Sequence, residues 1–203
     1  MIEDTRPGTL YGSGARALQD ELDSRRLADR LAGYTVHGEL DDGDLALVAD
    51  QSTVWIATVD ADGWPDVSYK GGAVGFVQAV GRRELRIPIY DGNGMFRTLG
   101  NASDTGRVAL LFLDPRRPWR MRVHGTGRVS TEPADLADHV GAVAVLIVSV
   151  LRVFPNCGRY IHPAEGLSPD VPAIGHVPPT AAWKLLDGIN DALPMSDPAR
   201  RPD

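Results

Sequence analysis

Hydrophobic and polar positions alternate with a period of two through much of the middle of the chain. Thr53-Val54-Trp55-Ile56-Ala57-Thr58-Val59 is a β-branched and aromatic run, Asp60-Ala61-Asp62-Gly63 follows as a turn, and Trp64–Lys70 resumes the alternation. A glycine-ended four-residue turn between two such runs predicts a β-hairpin. The same pattern predicts strands over Gly75–Val80, Glu84–Ile89, Val108–Leu113, Trp119–Ser130 and Val143–Phe154. Residues 14–32 have helical proportions of Ala, Leu, Arg and Asp and follow Ser13, a candidate N-cap. A second helix is predicted over Asp42–Asp50, with acids at the end that the macrodipole favours. Short helical stretches are expected at Gly94–Asn101 and Pro133–Gly141, and one late turn at Trp183–Leu186. Six or seven strands with short turns and few helices between them predict a mainly β fold, an antiparallel barrel with peripheral helices. A doubly wound parallel sheet would place a helix after almost every strand.

Composition narrows the function classes. The chain has 203 residues, 43% hydrophobic and 24% charged, enough for a packed core. A net charge of -6 argues against a nucleic-acid partner. The cluster Arg116, Arg117, Arg120 and Arg122 is local and suits one phosphate or cofactor better than a long polyanion. Cys157 is the single cysteine, which leaves neither an intrachain disulfide nor a cysteine-based zinc site and fits a reducing compartment. The sequence MIEDTRPGTL has no signal-peptide core, and the longest apolar run, Val140–Leu151, falls short of the roughly 20 residues a membrane span needs. The expectation is a cytoplasmic protein without a membrane partner. Its expected organisation is a helical extension over 1–40, a barrel over 41–161 and a proline-rich tail over 162–203 packing on that barrel.

Three stretches could carry chemistry. In Pro65-Asp66-Val67-Ser68-Tyr69-Lys70-Gly71-Gly72 a strand runs into a glycine pair. If Val67 and Tyr69 share one face, Ser68 and Lys70 share the other, a hydroxyl and an ammonium able to grip a phosphate or a ring carbonyl. Gly71 and Gly72 let backbone N–H groups approach a ligand. The alternative is a solvated strand end. In Tyr90-Asp91-Gly92-Asn93-Gly94-Met95-Phe96-Arg97 a strand ends, the chain turns and a helix begins, which is a ready anion site with Arg97 one turn in. The alternative is a turn with Asn93 as N-cap. In Trp119–Val129 alternation puts Arg120, Arg122 and His124 on one face, either solvated or facing an anion. The five histidines, His37, His124, His139, His162 and His176, show no metal-ligand spacing to one another, so no metal site is expected.

Taken together these stretches resemble the split-barrel flavoprotein family of pyridoxamine 5'-phosphate oxidase, and more closely its small FMN-binding relatives. The similarity runs from about Leu45 to Ile161. It rests on the order Thr53–Val59, Asp62-Gly63-Trp64-Pro65, Val67–Gly72 with Gly75-Phe76-Val77, Tyr90–Asn101, Val108–Leu113, Arg120–Gly125 and Phe154–Ile161. The resemblance implies a six- to seven-stranded split barrel of the FMN-binding type, working as a homodimer with an FMN in each of two grooves between the subunits. It implies that Val67, Ser68, Tyr69, Lys70 and Gly71 run along the isoalloxazine toward the phosphate. Tyr90, Asp91, Gly92, Asn93 and Gly94 would close over the ribityl chain and phosphate, with Arg97 in reach. Arg120 would reach the flavin from the partner subunit. Where the oxidase carries a Ser-Arg-Lys phosphate grip this chain reads Gly92-Asn93-Gly94, and the oxidase's substrate residues have no counterpart in Glu132–Gly141. The expected function is thus an FMN-dependent oxidoreductase with a small-molecule substrate or electron donor. A flavin sensor or carrier without turnover, or a deazaflavin-dependent reductase of the same fold, are the alternatives.

Overall fold

The computed structural model describes residues 10–114, 116–117, 119–162 and 179–201. Residues 163–178 and 202–203 of the proline-rich tail, His176 among them, and two prolines of the Asp114–Pro118 loop lie outside them. The chain divides into two compact units, one of them formed by His37–Asp114 and Trp119–Cys157.

That unit is a seven-stranded antiparallel sheet forming the split barrel. Its strands are β1 (Thr53–Val59), β2 (Pro65–Gly71), β3 (Gln78–Val80), β4 (Glu84–Tyr90), β5 (Arg107–Asp114), β6 (Trp119–Ser130) and β7 (Ala142–Asn156), in the spatial order β2-β1-β5-β6-β7-β4-β3. β1 and β2 form the expected hairpin, paired from Thr53↔Gly71 to Val59↔Pro65. Its turn is tied by Asp60, whose Oδ1 accepts the Asp62 and Trp64 N–H groups at 3.1 and 2.8 Å. Alternation then sorts the side chains: Val54 and Ile56, Leu85 and Ile87, Leu110 and Phe112, Met121 and Val123, and Leu146 and Val148 all point inward and are buried. Each such side chain contributes about 1.5–3 kcal/mol relative to exposure.

Three helices complete the unit. α3 (Asp42–Ala49) starts with a full capping box: Asp41 accepts the Asp44 N–H and Asp44 accepts the Asp41 N–H. α4 (Arg97–Thr105) packs against β1, β2, β5 and β6. The buried Asn101 amide donates to Thr58 Oγ1 at 3.1 Å, and Thr105 Oγ1 donates to the Val59 carbonyl at 2.8 Å, so α4 is pinned to β1. α5 is the single turn Pro133–Leu136. Its Asp135 accepts from Ser130 at 2.6 Å and pairs with Arg86 at 3.2 Å.

Several expected boundaries need correction. The strand expected from Gly75 begins only at Gln78, because Gly75 sits at φ 77 with its N–H on the Gln51 carbonyl and Phe76 closes a turn onto Ala73. The helix expected from Gly94 starts three residues later, since Gly94 and Phe96 are both left-handed, and runs to Thr105 where Gly106 ends it at φ 67. The helix expected over Pro133–Gly141 stops at Leu136 and continues as turns to Gly141 at φ 79.

The other unit contains α1 (Ser13–Glu21), α2 (Arg25–Thr35), a 3-10 turn over Ala182–Leu185 and α6 (Asp187–Asn190). The single helix expected over 14–32 is broken at Asp23, which adopts φ 49, a conformation aspartate tolerates better than most residues. The N-cap of α1 is Gly12, and Ser13 is already helical. Arg30 ties α2 to α6 through a paired contact with Asp191 at 3.0 and 3.1 Å.

His139 in the barrel unit carries a stability prediction. It is buried, and its Nε2 has no hydrogen-bond partner among the described residues. Burial pulls its pKa below the usual value, with Asp138 opposing and Arg86 reinforcing the shift. His124 is lowered too, by burial and then by Arg152 and Arg122. The unfolded chain therefore takes up these protons at higher pH than the fold does. Stability should be level above about pH 6.5 and fall as pH drops below it. Urea unfolding followed from about pH 8 to 5 should show this fall, partly flattened in His139→Gln; the wild-type slope persisting in the variant would contradict the assignment.

Candidate functional site

β2 is an edge strand whose burial alternates, with Asp66, Ser68 and Lys70 half-buried and Val67, Tyr69 and Gly71 exposed. The half-buried side faces a cleft of about 260 Å³ whose opposite wall is the end of β4 and the start of α4. Asp66, Val67, Ser68 and Lys70 from β2 meet Tyr90, Gly92, Asn93, Gly94 and Arg97 there. Two of the three sequence stretches, distant along the chain, thus converge on one cavity.

The electrostatics of the cleft are uneven. Arg97 lies between two carboxylates, Asp66 at 3.7 Å and Asp60 at 4.0 Å. Among the described residues no ion pair or hydrogen bond engages the Lys70 ammonium. α4 opens onto the same space with Phe96 at its N-cap, and no side chain caps it. Helix N-termini present unsatisfied N–H groups and a favourable dipole to an anion. Gly92 and Gly94 stand in the loop with no atom within 4 Å of where a Cβ would be, so the backbone is open to a ligand. Asn93 does not cap α4; its side chain accepts the Met95 N–H at 3.1 Å and stiffens the loop.

Four of the expected residues do not line this cleft. Tyr69 turns to the outer side of the sheet and meets Trp55 edge-on, with ring centres 5.4 Å apart. Gly71 and Asp91 lie next to cleft residues without lining it. Arg120 is on β6, three strands from β2 in the sheet order, with a buried Nε that has no hydrogen-bond partner among the described residues. It does share a face with Arg122 and His124, opposite the buried Met121 and Val123. His124 there meets Phe154 edge-on at 5.1 Å.

Asp66, Ile89, Met95, Phe96, Thr98 and Leu99 also line the cleft; the sequence placed all but Ile89 in the stretches that could carry chemistry or the family resemblance, but marked none of them as a site residue. Asp66 was legible in principle, two residues before Ser68 on the same strand face. His37, Asp41 and Asp44 also bring one potential metal-ligand atom each within 4.8 Å of one another. Hydrogen bonds account for that cluster: the capping box holds the two aspartates, and His37 Nε2 sits 2.6 Å from Asp44.

No helix among the described residues is long and apolar enough to cross a membrane. Among solved structures the chain is similar to Group A Streptococcus HupZ, at 20% identity and a TM-score of 0.48, covering 64% of this chain and 98% of that one. It is similar to an FMN-binding protein from Syntrophomonas wolfei (13% identity, TM-score 0.41, 70% and 94% covered). It is also similar to HutZ, the heme storage protein from Vibrio cholerae (14%, 0.41, 56% and 92%). No curated protein matches the chain. The sequence signature of pyridoxamine 5'-phosphate oxidase spans residues 40–152, more than half of the chain and nearly all of the barrel, and the protein belongs to that family.

Proposed function

We propose that the protein binds FMN in the cleft between β2 and α4 and acts as an FMN-dependent oxidoreductase, as a homodimer in the cytoplasm. The observation that carries this reading is the convergence of Lys70, the uncapped start of α4 and the Gly92-Asn93-Gly94 loop on one cavity. These groups fit a phosphate: an ammonium without a carboxylate partner, helix N–H groups without a side-chain acceptor, and a backbone with no Cβ in the way. Val67 and Ser68 would lie along the ring, with the Ser68 hydroxyl available to a ring carbonyl. Bound there, the flavin supplies hydride or electron transfer, and the chain supplies its position and charge environment. Lys70 holds the anion, Arg97 is steadied by Asp60 and Asp66, and the pinned α4 fixes the helix end in place.

The homodimer is supported by the outer face of the sheet. Val67 and Tyr69 are exposed there beside Trp55, and a second copy would bury them and bring its own Arg120 toward the flavin. A two-fold interface of at least the standard size of about 1,600 Å² is expected. Light scattering at micromolar concentration should give twice the chain mass, and a flavin-loaded monomer would contradict it. The single cysteine, Cys157, fits the reducing cytoplasm.

The absorbance spectrum of the purified protein tests the cofactor, backed by the mass of the ligand released on heating. FMN in stoichiometric amount is expected. Neither released flavin nor uptake of added FMN would remove the proposal, and preferential uptake of a deazaflavin would replace its cofactor. Bleaching of the flavin band by NADH or NADPH then separates an oxidoreductase from a carrier.

A further inference from the structure

His124 stands on the outer face of β6, directly opposite Arg152 of β7, and Arg122 and Phe154 form the next pair along the same face. On its other side β5 places Ala109 opposite His124 and Arg107 on the diagonal. The ionisable groups of this patch are thus all basic. β5, β6 and β7 together hold one carboxylate, Asp114, and it is fully buried. Among the described residues no hydrogen bond or ion pair engages the side chains of Arg107, Arg122 or His124. Like charges set opposite one another on a sheet are destabilising. His124 reflects this: burial, then Arg152 and Arg122, hold its pKa below the usual value, so the ring is mostly neutral at about pH 7. The buried Phe154 ring meets His124 edge-on at 5.1 Å and lies 5.8 Å from the Arg122 guanidinium carbon. Both groups therefore rest against one apolar floor.

We propose that Arg122, His124 and Arg152 bind a small oxyanion, the phosphate or carboxylate group of a small molecule, and that His124 takes up a proton from solvent as it binds. Guanidinium forks match the geometry of such a group, and charge-assisted hydrogen bonds to it are the strong ones. The anion also removes the repulsion that keeps the imidazole neutral, so binding and protonation favour each other. Directly paired side chains start about 5 Å apart and diagonal ones about 7–8 Å, the span of one oxyanion. The net charge of -6 argues against a long polyanion on the same face. None of these residues lines the cleft between β2 and α4, so the inference does not rest on the FMN reading.

The test follows the His124 imidazole by heteronuclear NMR in the full-length protein, titrated with sulfate, acetate or sodium chloride at matched ionic strength. Sulfate keeps its charge near neutral pH and stands in for phosphate; acetate stands in for a carboxylate. The bound oxyanion should raise the His124 pKa by about one unit, which corresponds to roughly tenfold tighter binding to the protonated ring. Chloride only screens the arginines and should move it less. The tighter of the two oxyanions names the ligand class. By isothermal titration, Arg122→Gln should bind that anion about tenfold more weakly, and His124→Gln should lose the gain in affinity between about pH 8 and 6. Lys70→Ala, which removes a cation from the cleft, should leave the His124 response unchanged. Chloride matching both oxyanions would overturn the inference, as would Arg122→Gln binding like wild type or a pH dependence that survives in His124→Gln. A His124 response lost in Lys70→Ala would trace the anion to the cleft and overturn it too. Protein that takes up no flavin yet shows the response loses the FMN reading and keeps this site.

Discussion

Lys70→Ala is expected to weaken FMN binding by about ten- to a hundredfold while riboflavin, which lacks the phosphate, is barely affected. The size follows from one charge-assisted hydrogen bond, about 1.5–3 kcal/mol, at 1.4 kcal/mol per decade of affinity. The effect concentrates on Lys70 because the other cation in the cleft is already engaged: Arg97 sits between Asp60 and Asp66 at 4.0 and 3.7 Å. Arg97→Ala should therefore show a smaller loss of the same kind. Isothermal titration of the apoprotein with each ligand separates the outcomes. Equal weakening of both ligands would place Lys70 against the ring, and no change in either would make it a solvated strand residue.

The largest expected effect on stability is that of Phe112→Ala. Phe112 lies on β5, pairs across β6 with Met121, and has no exposed surface. Removing a buried phenyl leaves a cavity among side chains that relax only in part, at a cost of about 3–5 kcal/mol. That is a large share of the roughly 5–15 kcal/mol that holds a domain folded. Urea unfolding should show a strongly lowered midpoint at similar slope, whereas Lys70→Ala, half-buried and unpaired, should unfold near the wild-type midpoint. A Phe112→Ala loss below about 1 kcal/mol would mean that the barrel interior refills the space.

The barrel was legible because one face of nearly every strand is buried, which writes a period of two into the sequence. β6 runs over Trp119–Ser130 as the alternation predicts, with Met121 and Val123 inward and Arg122 outward. Ser68 and Lys70 could be assigned a common face for the same reason. The breaks were less legible because they depend on single backbone angles. Nothing in the composition of residues 14–32 marks Asp23 as left-handed, and no propensity tells that Phe96 is, so α2 and α4 were misplaced by the residues those angles govern. Arg120 shows a further limit, since the role proposed for it in a second subunit's site would leave no trace within one chain's contacts.

The place of β7 in the sheet has a consequence for how the protein comes into being. Among the described strands β4 pairs with β3 and β7, with Glu84 paired to Ser149 and Tyr90 to Ala142. A nascent chain that has emerged only as far as α5 owns a meander of β2, β1, β5 and β6 and a hairpin of β3 and β4 that nothing joins to it through a strand. Such sequence-distant pairings close slowly, because the loop entropy is lost before the contacts form. The Ile89–Tyr90 wall of the cleft thus reaches its final position only when the last strand slots between β6 and β4. Flavin capture during synthesis or refolding should lag behind the formation of the meander, and the fluorescence change of added FMN would time the arrival of β7.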